Sequence, residues 1–253
     1  MSHIFLLIAI FFVSQVCLSQ NLISNGSFEK YNHCIDEYGE IETAIGWFQQ
    51  EGSSDYYNKC CKKRNFVGVP QNFNGYQKPF DGDAYAGMYL FYSDKRYTLN
   101  GYYNREYIQT KLLKPLETNR KYKVSFYYSL ADSSEFYTDH FSICFSKAEK
   151  LQKVKLIEDV LVCENKVSQN VLKDEARDFV EWHKVEFEYL AKGGEAFLTL
   201  GFFFEDLSKK EYKRMVKKNR VKPKLHSYEN TCYYYVDSVS VIDENKIFTH
   251  YPN

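Results

Sequence analysis

Two acidic residues near the ends of the sequence, Glu29 and Asp237, have the chemistry of a cation site. Asp237 lies within the stretch 233–242 (YYYVDSVSVI), whose alternation predicts a strand. Val239 and Val241 fall on the same predicted side as Asp237 and indicate that this side faces a core. A carboxylate there costs several kcal/mol unless it is paired, hydrogen-bonded or bound to a metal. If the first and last strands are neighbours, Glu29 and Asp237 can share one cation.

Residues that could act in catalysis are scattered along the sequence. No HExxH or GxSxG motif occurs, and the histidines considered stand alone: His33, His140, His183, His226 and His250. Asp132-Ser133-Ser134 could belong to a hydrolase site but is typical of a turn at the end of a strand. Among 33 acidic residues, pairs of carboxylates for glycoside hydrolysis can be chosen almost at will. We therefore expect no enzyme activity.

The elements that must position these residues are predicted to be strands of one all-β domain. Aromatic residues make up 18% of the chain, which favours strands and a packed core over disorder. Residues 31–63 are predicted to form a long loop anchored by Trp47 and Phe48. About eight to ten strands, without βαβ alternation, favour a sandwich or jelly roll. Alternating patterns predict strands at residues 84–92, 105–113, 121–130, 137–145, 182–190, 196–204 and 233–242, an edge strand at 154–162 and a short link at 170–179.

The N-terminal segment predicts export. Residues 4–16 form an apolar run that is too short to span a membrane, and small residues follow it. We interpret residues 1–19 as a signal peptide, which leaves residues 20–253 as the mature domain. A lipid anchor on Cys17 is the alternative, although the residues before it do not resemble a lipobox. No later segment is predicted to span a bilayer as a helix.

The cysteines predict disulfide bonds. The sequence has 7 cysteines, and removal of Cys17 with the signal peptide leaves an even number, which favours disulfides in an exported chain. Cys34 is expected to bond to one of the adjacent residues Cys60 and Cys61, and we predict Cys60. Zinc is the weaker alternative, because no CxxC pair occurs.

The charge balance argues against a general attraction to polyanions. The 33 basic and 33 acidic residues cancel, so no global field draws the chain to nucleic acid or to an anionic membrane. Locally, residues 208–224 carry nine Lys or Arg against one Glu, within a basic insertion at about residues 206–230. This segment is either an electropositive loop for polyanions, including acidic polysaccharide, or, more simply, a solvated insertion. Its few aromatic residues argue against base stacking.

Several segments together resemble a known group of domains: residues 21–29 (NLISNGSFE), 74–89 (NGYQKPFDGDAYAGMY), 105–134, 191–203 (AKGGEAFLTLGFF) and 233–241 (YYYVDSVSV). They resemble the N-terminal extracellular domain of Bacteroidetes-type OmpA-like outer-membrane and secreted proteins. That domain is similar to galactose-binding-like jelly rolls, which include many carbohydrate-binding modules. The resemblance implies a jelly-roll β-sandwich. The sequence departs from the group at Ser238, where a second Asp is more usual, and no cell-wall attachment is carried over, because the peptidoglycan-binding domain that commonly follows is not in this sequence.

The resemblance also implies a metal site. In related jelly rolls a structural calcium ion joins the first and last strands. Carried over to this sequence, the Ca²⁺ ligands are the side chains of Glu29 and Asp237 and backbone carbonyls near Ser24 and Gly26, a set of oxygens that suits calcium. The alternative is that Asp237 accepts backbone N–H bonds while Glu29 is solvated.

Sugar binding in such modules uses exposed aromatic rings that stack on pyranose faces, flanked by amide and carboxylate groups. The loop candidates are Trp47, Tyr57, Tyr76, Phe80, Tyr102 and Tyr103, with Asn74, Gln77, Asp81 and Asp83 as polar companions. The sequence thus predicts a secreted or cell-surface, non-catalytic module that binds a glycan. The alternatives are an envelope adhesion or scaffold protein that acts through protein contacts, and a glycan hydrolase.

Overall fold

The computed structural model describes residues 20–63, 66–92, 105–153, 161–203, 214, 217–225 and 231–244, so the predicted signal peptide lies outside the described residues. The strands are β1 Trp47–Glu51, β2 Asp55–Asn58, β3 Gln71–Asn72, β4 Gly75–Tyr76, β5 Ala84–Tyr92, β6 Tyr107–Lys111, β7 Lys121–Leu130, β8 His140–Ser146, β9 Asn165–Asn170, β10 His183–Leu190, β11 Phe197–Gly201 and β12 Thr231–Asp243. A 3₁₀ turn spans Ile41–Thr43, and a short helix, α1, spans Lys173–Ala176. None of the described helices has the length and apolar character needed to cross a membrane.

Two antiparallel five-stranded sheets form a β-sandwich. Sheet I has the order β1-β6-β11-β8-β9, sheet II has the order β10-β7-β12-β5-β2, and β3 and β4 form a separate hairpin. Successive strands alternate between the sheets from β5 to β8 and again from β9 to β12, so the chain crosses the core repeatedly, as in a jelly roll. The predicted all-β, jelly-roll β-sandwich class is confirmed.

The core between the sheets is built on alternating side chains. In β7 every second residue from Tyr122 to Leu130 is buried, in the pattern of a strand with one face on a core. The Tyr128 ring of sheet II lies 4.3 Å from the Phe141 ring of sheet I, and Tyr234 of β12 lies 5.0 Å from the same ring. Each large apolar side chain buried here contributes roughly 1.5–3 kcal/mol to folding.

The central strand β12 contains an extra residue at Ser238, whose φ is 50°. Asp237 pairs with Tyr127, but the next regular pair joins Ser240 to Ser125, so three residues of β12 advance against two of β7. Val241 consequently lies on the sheet face that meets sheet I, whereas Asp237 lies on the opposite face. The prediction that Asp237 shares a face with Val239 and Val241 is therefore wrong.

The two ends of the described chain lie side by side, as the sequence predicted. Asn21 and Ile242 form an isolated antiparallel bridge, and the Leu22 N–H donates to the Val241 carbonyl at 2.8 Å. Further along, the Val239 N–H donates to the Gly26 carbonyl at 2.9 Å, beside the extra residue of β12. The N-terminal segment runs irregularly there, with turns and bends in place of a regular strand over residues 22–28.

The region predicted as one long loop, residues 31–63, contains the strands β1 and β2. The predicted disulfide between Cys34 and Cys60 is present, and a second disulfide joins Cys144 to Cys163. Cys61 and Cys232 are free thiols. On the far side of sheet I, β9 forms the edge, while most of the edge strand predicted at 154–162 lies outside the described residues.

Candidate functional site

The face of sheet II that points away from sheet I carries a row of buried tyrosines beneath the β3–β4 hairpin. Ring centroids of Tyr57, Tyr85 and Tyr235 lie 5.0–5.5 Å apart. The Tyr233 hydroxyl donates to Asp55 at 2.6 Å and lies 2.8 Å from the Tyr57 hydroxyl. Tyr57 is 0% exposed. This burial argues against the predicted role of Tyr57 as a ring that stacks on a sugar.

Asparagine side chains of the hairpin satisfy the hydroxyls of these tyrosines. Asn72 donates to the Tyr85 hydroxyl at 2.9 Å and accepts from the Tyr235 hydroxyl at 2.8 Å. Asn74, a predicted sugar contact, donates to the Tyr57 hydroxyl at 3.3 Å and is itself buried. Because buried polar groups need such partners, the hairpin is a fixed cover of the sheet.

Trp47, the second large aromatic candidate, is also buried. Its side chain is 2% exposed, and its indole N–H donates to the Asn25 carbonyl at 2.7 Å. The ring stacks on Phe28 at a centroid distance of 4.6 Å. These contacts anchor the N-terminal segment to β1, and they leave no open ring face for a ligand.

Glu29 and Asp237 both hold the loop of residues 80–84, which leads into β5. Asp237 Oδ2 accepts the N–H groups of Phe80 and Asp81 at 3.0 and 3.1 Å, and Glu29 Oε1 accepts those of Asp83 and Ala84, both at 2.9 Å. Burial raises the pKa of Asp237 to about 8 and also raises the pKa of Glu29, although these N–H bonds act in the opposite direction. The two predicted carboxylates therefore converge on one loop.

The approach of this loop to Glu29 depends on Gly82. Its φ is 65°, a conformation that other residues rarely adopt, and a Cβ atom there would lie 2.3 Å from the Glu29 carboxyl carbon. Glycine alone lets the backbone come this close to the carboxylate. The sequence Asp81-Gly82-Asp83 is thus a turn that fits against Glu29, with both aspartates exposed.

The calcium prediction has a competing explanation in these contacts. Asp237 accepts backbone N–H bonds, as the alternative foresaw, but Glu29 does so as well instead of being solvated. The Gly26 carbonyl accepts from Val239, and the Ser24 carbonyl accepts from the Lys30 ammonium at 3.3 Å. In the part of the chain that the structure describes, no three His, Cys, Asp or Glu side chains are grouped to hold a metal ion. Calcium remains a prediction.

A groove of about 460 Å³ opens beside the β3–β4 hairpin. This volume lies within the range of roughly 300–1,000 Å³ that is usual for ligand sites. One part of its wall is apolar and partly exposed, and the rim carries both charges. The lining residues are Tyr76, Gln77, Lys78, Asp132, Phe179, Val180, Glu181, Trp182 and Lys224.

Asp132, in the turn after β7, organises one side of the groove. Its Oδ2 accepts the Tyr76 N–H at 3.0 Å, its Oδ1 lies 3.6 Å from the Lys224 ammonium, and its backbone carbonyl accepts the Lys224 N–H at 2.8 Å. Gly75 permits this approach, since its φ is 137° and a Cβ would lie 2.5 Å from the Asp132 Cβ. Asp132 therefore fixes the positions of Tyr76 and Lys224 relative to each other.

The link between α1 and β10 forms the opposite side. The Trp182 indole N–H donates to the Lys78 carbonyl at 2.7 Å, and the Gln77 amide donates to the Val180 carbonyl at 3.4 Å. The Lys224 ammonium lies over the Phe179 ring, 5.1 Å from its centroid. These bonds connect the two sides, so the groove is largely preformed.

The remaining sugar-binding candidates lie in different surroundings. Tyr76, 49% exposed, and Gln77 line the groove. Phe80 is 43% exposed, but one ring face stacks on Tyr127 at 3.6 Å. Asp83 forms an exposed ion pair with Lys59 at 2.9 Å. Two predicted contacts, Tyr102 and Tyr103, lie outside the described residues.

The sequence did not predict the side of the groove that residues 179–182 form. The sequence predicts that Phe179 ends a short link and that Trp182 begins a strand, and it predicts a ligand contact for neither residue. The available signal was the composition of residues 179–182 (FVEW), where two aromatics and a valine stand at a junction and not inside an alternating strand. Single aromatics beside a charged residue in a connecting segment are candidates for a binding surface.

Two acidic side chains line the groove. Its two acids are Asp132, which is engaged with Tyr76 and Lys224, and Glu181, which is exposed. Ser133 and Ser134, beside Asp132, are buried and donate to Asn74 Oδ1 and to a backbone carbonyl.

No protein-family profile and no curated protein sequence matches the chain. Among solved structures it is similar to the CBM22-1 xylan-binding domain of Paenibacillus barcinonensis Xyn10C, with 12% identity, a TM-score of 0.39 and coverage of 89% of this chain and 95% of that one. It is also similar to the K2 adhesin domain of Lys-gingipain, with 13% identity, a TM-score of 0.39 and coverage of 85% and 95%. A family 11 carbohydrate-binding module from Clostridium thermocellum follows at 7% identity, a TM-score of 0.30 and coverage of 83% and 94%. The fold class rests on the two sheets described above and not on these similarities.

Proposed function

We propose that this chain is a non-catalytic binding module that holds a glycan in the groove between the β3–β4 hairpin and residues 179–182. The observation that carries the proposal is the exposed Tyr76 ring in a preformed groove shared with Trp182. An aromatic face supplies the apolar surface that a sugar ring stacks on, and the neighbouring amide and charged groups can bond its hydroxyls. The two disulfides fit an exported protein, and we propose secretion or surface display as the location.

Replacing Tyr76 with alanine is expected to weaken glycan binding about tenfold, because a stacking contact contributes about 1 kcal/mol or more. The wild-type protein is first screened by affinity gel electrophoresis against xylan, mixed-linkage β-glucan and polygalacturonate, and the affinity for the best binder is then measured by calorimetry. Tyr76 donates only its backbone N–H to Asp132, so the substitution leaves that bond in place.

The matched control is Tyr31→Ala, which removes a tyrosine of similar exposure (41%) away from the groove. Equal losses for the two variants would contradict the proposed site. A wild-type protein that binds none of the glycans but captures an envelope protein through this face would favour the adhesion alternative. Release of reducing ends from a bound glycan would favour the hydrolase.

Calcium is a second proposal, for the Glu29–Asp237 region. If Ca²⁺ adds to the carboxylates that hold the 80–84 loop, EDTA should lower the melting temperature of the wild-type protein, and added Ca²⁺ should restore it. The measurement is a thermal melt followed by circular dichroism, with Mg²⁺ addition as the control. An unchanged melt in EDTA would mean that backbone N–H groups alone satisfy these carboxylates.

A further inference from the structure

A row of exposed cations continues one end of the groove. We call the described residues Arg214, Lys217, Lys218, Arg220, Lys222 and Lys224 the basic strip; all six are exposed, and the strip contains no acid. Part of the strip is fixed along the turn that follows β7. The Val221 N–H donates to the Glu135 carbonyl at 2.8 Å, and the Asn219 carbonyl accepts from Tyr137 at 3.1 Å. The strip is therefore docked on the sandwich.

In the second half of the strip, residues 219–224, the side chains alternate between the protein and the solvent. Asn219 is buried, Val221 and Pro223 are half-buried, and the residues between and beyond them, Arg220, Lys222 and Lys224, are exposed. This alternation indicates an extended backbone with its cations on one side. Residues two apart in an extended chain are ~7 Å from each other, so Arg220, Lys222 and Lys224 present cations at a regular spacing. The other members, Arg214, Lys217 and Lys218, are helical.

Most of these cations have no ion-pair partner among the residues that the structure describes. Lys224 is paired with Asp132, and the Arg220 guanidinium lies 5.5 Å from the centre of the Phe136 ring. The other four cations form no ion pair with any residue in the described ranges. Like charges at close spacing repel one another, so a bound polyanion would relieve that repulsion as well as pair with each cation.

We propose that the basic strip and the groove form one site, whose ligand is an acidic polysaccharide carrying carboxylate or sulfate groups. This inference rests on the proposed function, because it assigns a chemical class to the glycan in the groove. Lys224 belongs to both parts, since it lines the groove over Phe179 and ends the strip. A sugar ring bound at Tyr76 places the next acidic groups of its chain along Lys222 and Arg220.

The strip favours polysaccharide over nucleic acid. Single-stranded nucleic acid binds where aromatic side chains alternate with cations along the path of the strand, because the bases stack on those rings. No aromatic side chain occurs among the described residues of the strip. Phe136, beside Arg220, is buried, and the exposed ring of Tyr76 lies at one end, in the groove, where it can anchor one sugar ring of a longer chain.

The test compares two charge-reversal variants of the full chain. The double variant K218E/K222E changes two exposed cations of the strip, and K147E/K150E makes the same change in net charge at exposed positions beyond β8. Affinities for polygalacturonate, chondroitin sulfate, neutral xylan and a single-stranded oligonucleotide are measured by gel retardation at two salt concentrations. Thermal melts of both variants establish that they are folded.

We expect K218E/K222E to lose at least tenfold in affinity for the two acidic polysaccharides and K147E/K150E to lose little, with affinity falling as salt rises. Binding of xylan with no preference for the acidic polymers would overturn this inference and leave the proposed function standing. Binding of no glycan at all would overturn both. If the oligonucleotide bound more tightly than either acidic polysaccharide, the proposed ligand class would be wrong and nucleic acid would take its place.

Discussion

Replacing Asp237 with alanine is expected to destabilise the protein by about 3 kcal/mol. The carboxylate is 0% exposed and accepts the N–H groups of Phe80, Asp81 and Ser238. Alanine leaves these donors without an acceptor in a buried place, and each such loss costs about 1–3 kcal/mol, partly offset because a buried carboxyl group is itself costly. The measurement is the free energy of unfolding in urea.

The matched control for this variant is Asp81→Ala, which removes an exposed carboxylate from the same loop. A surface substitution of this kind should change the stability by less than about 0.5 kcal/mol. Hydrogen exchange provides a second measurement, because the amides of residues 80 and 81 should lose protection in the Asp237 variant. Stability equal to that of the wild type, with those amides still protected, would show that the carboxylate does not hold the loop.

The stability of the protein is expected to fall by at least about 2 kcal/mol as the pH rises from about 5 to about 9. Burial raises the pKa of Glu106 to about 8, with repulsion from Asp55 as a further cause, and burial raises the pKa of Asp55 to about 6. In the unfolded chain both groups lose their protons near pH 4. Between these values the folded state binds more protons than the unfolded state, so unfolding becomes easier as the pH increases.

Both carboxyl groups are buried, at 2% exposed for Glu106 and 3% for Asp55, and this burial is the main cause of their raised pKa values. Glu106 accepts N–H bonds from Ser53 and Tyr89 at 3.1 and 2.8 Å, and Asp55 accepts from Tyr233 and Gly39. These bonds lower both pKa values but are outweighed by the loss of solvation.

The variant Glu106→Gln tests this explanation, because of these two groups Glu106 has the pKa that is raised further. Urea unfolding at a series of pH values should give a shallower decline for Glu106→Gln than for the wild type, whatever its stability at acidic pH. Glu188→Gln serves as the control, since Glu188 is exposed and paired with Lys121 at 2.8 Å. If the unfolding free energy of Glu106→Gln fell with pH as steeply as that of the wild type, Glu106 would not be a cause of the decline.

The fold was predictable where alternation is strong. The bounds predicted for β5 and β7 agree with the structure, and in β7 every second side chain from Tyr122 to Leu130 is buried against the core. The strands β1 and β2 were not predicted, since their sequences WFQQE and DYYN mix polar and aromatic residues without a clear period. Asp55 and Asn58 are nevertheless buried, and hydrogen bonds stabilise them there.

The candidate site was predictable only in part. Tyr76 and Gln77 were identified because they follow a turn signal, Asn74-Gly75, in a loop. Trp182 and Lys224 reach the same groove through contacts between segments far apart in the sequence, and no local pattern reports such contacts. Trp47 and Tyr57 failed as candidates for a related reason. Their polar atoms find partners inside the protein, at Asn25 and Tyr233, so nothing holds the rings at the surface.

The extra residue at Ser238 reverses which residues of β12 point away from sheet I. Upstream of it, odd-numbered residues such as Tyr235 and Asp237 point away from sheet I, and downstream of it the even-numbered Ser240 does so. In a related sequence that lacks this extra residue, every later residue of the strand is shifted by one position relative to this chain. An alignment that matches residues on the same face of the sheet must therefore open a gap inside the strand. When relatives of this protein are compared, the rule for which residues face sheet I, odd-numbered or even-numbered, therefore changes at residue 238.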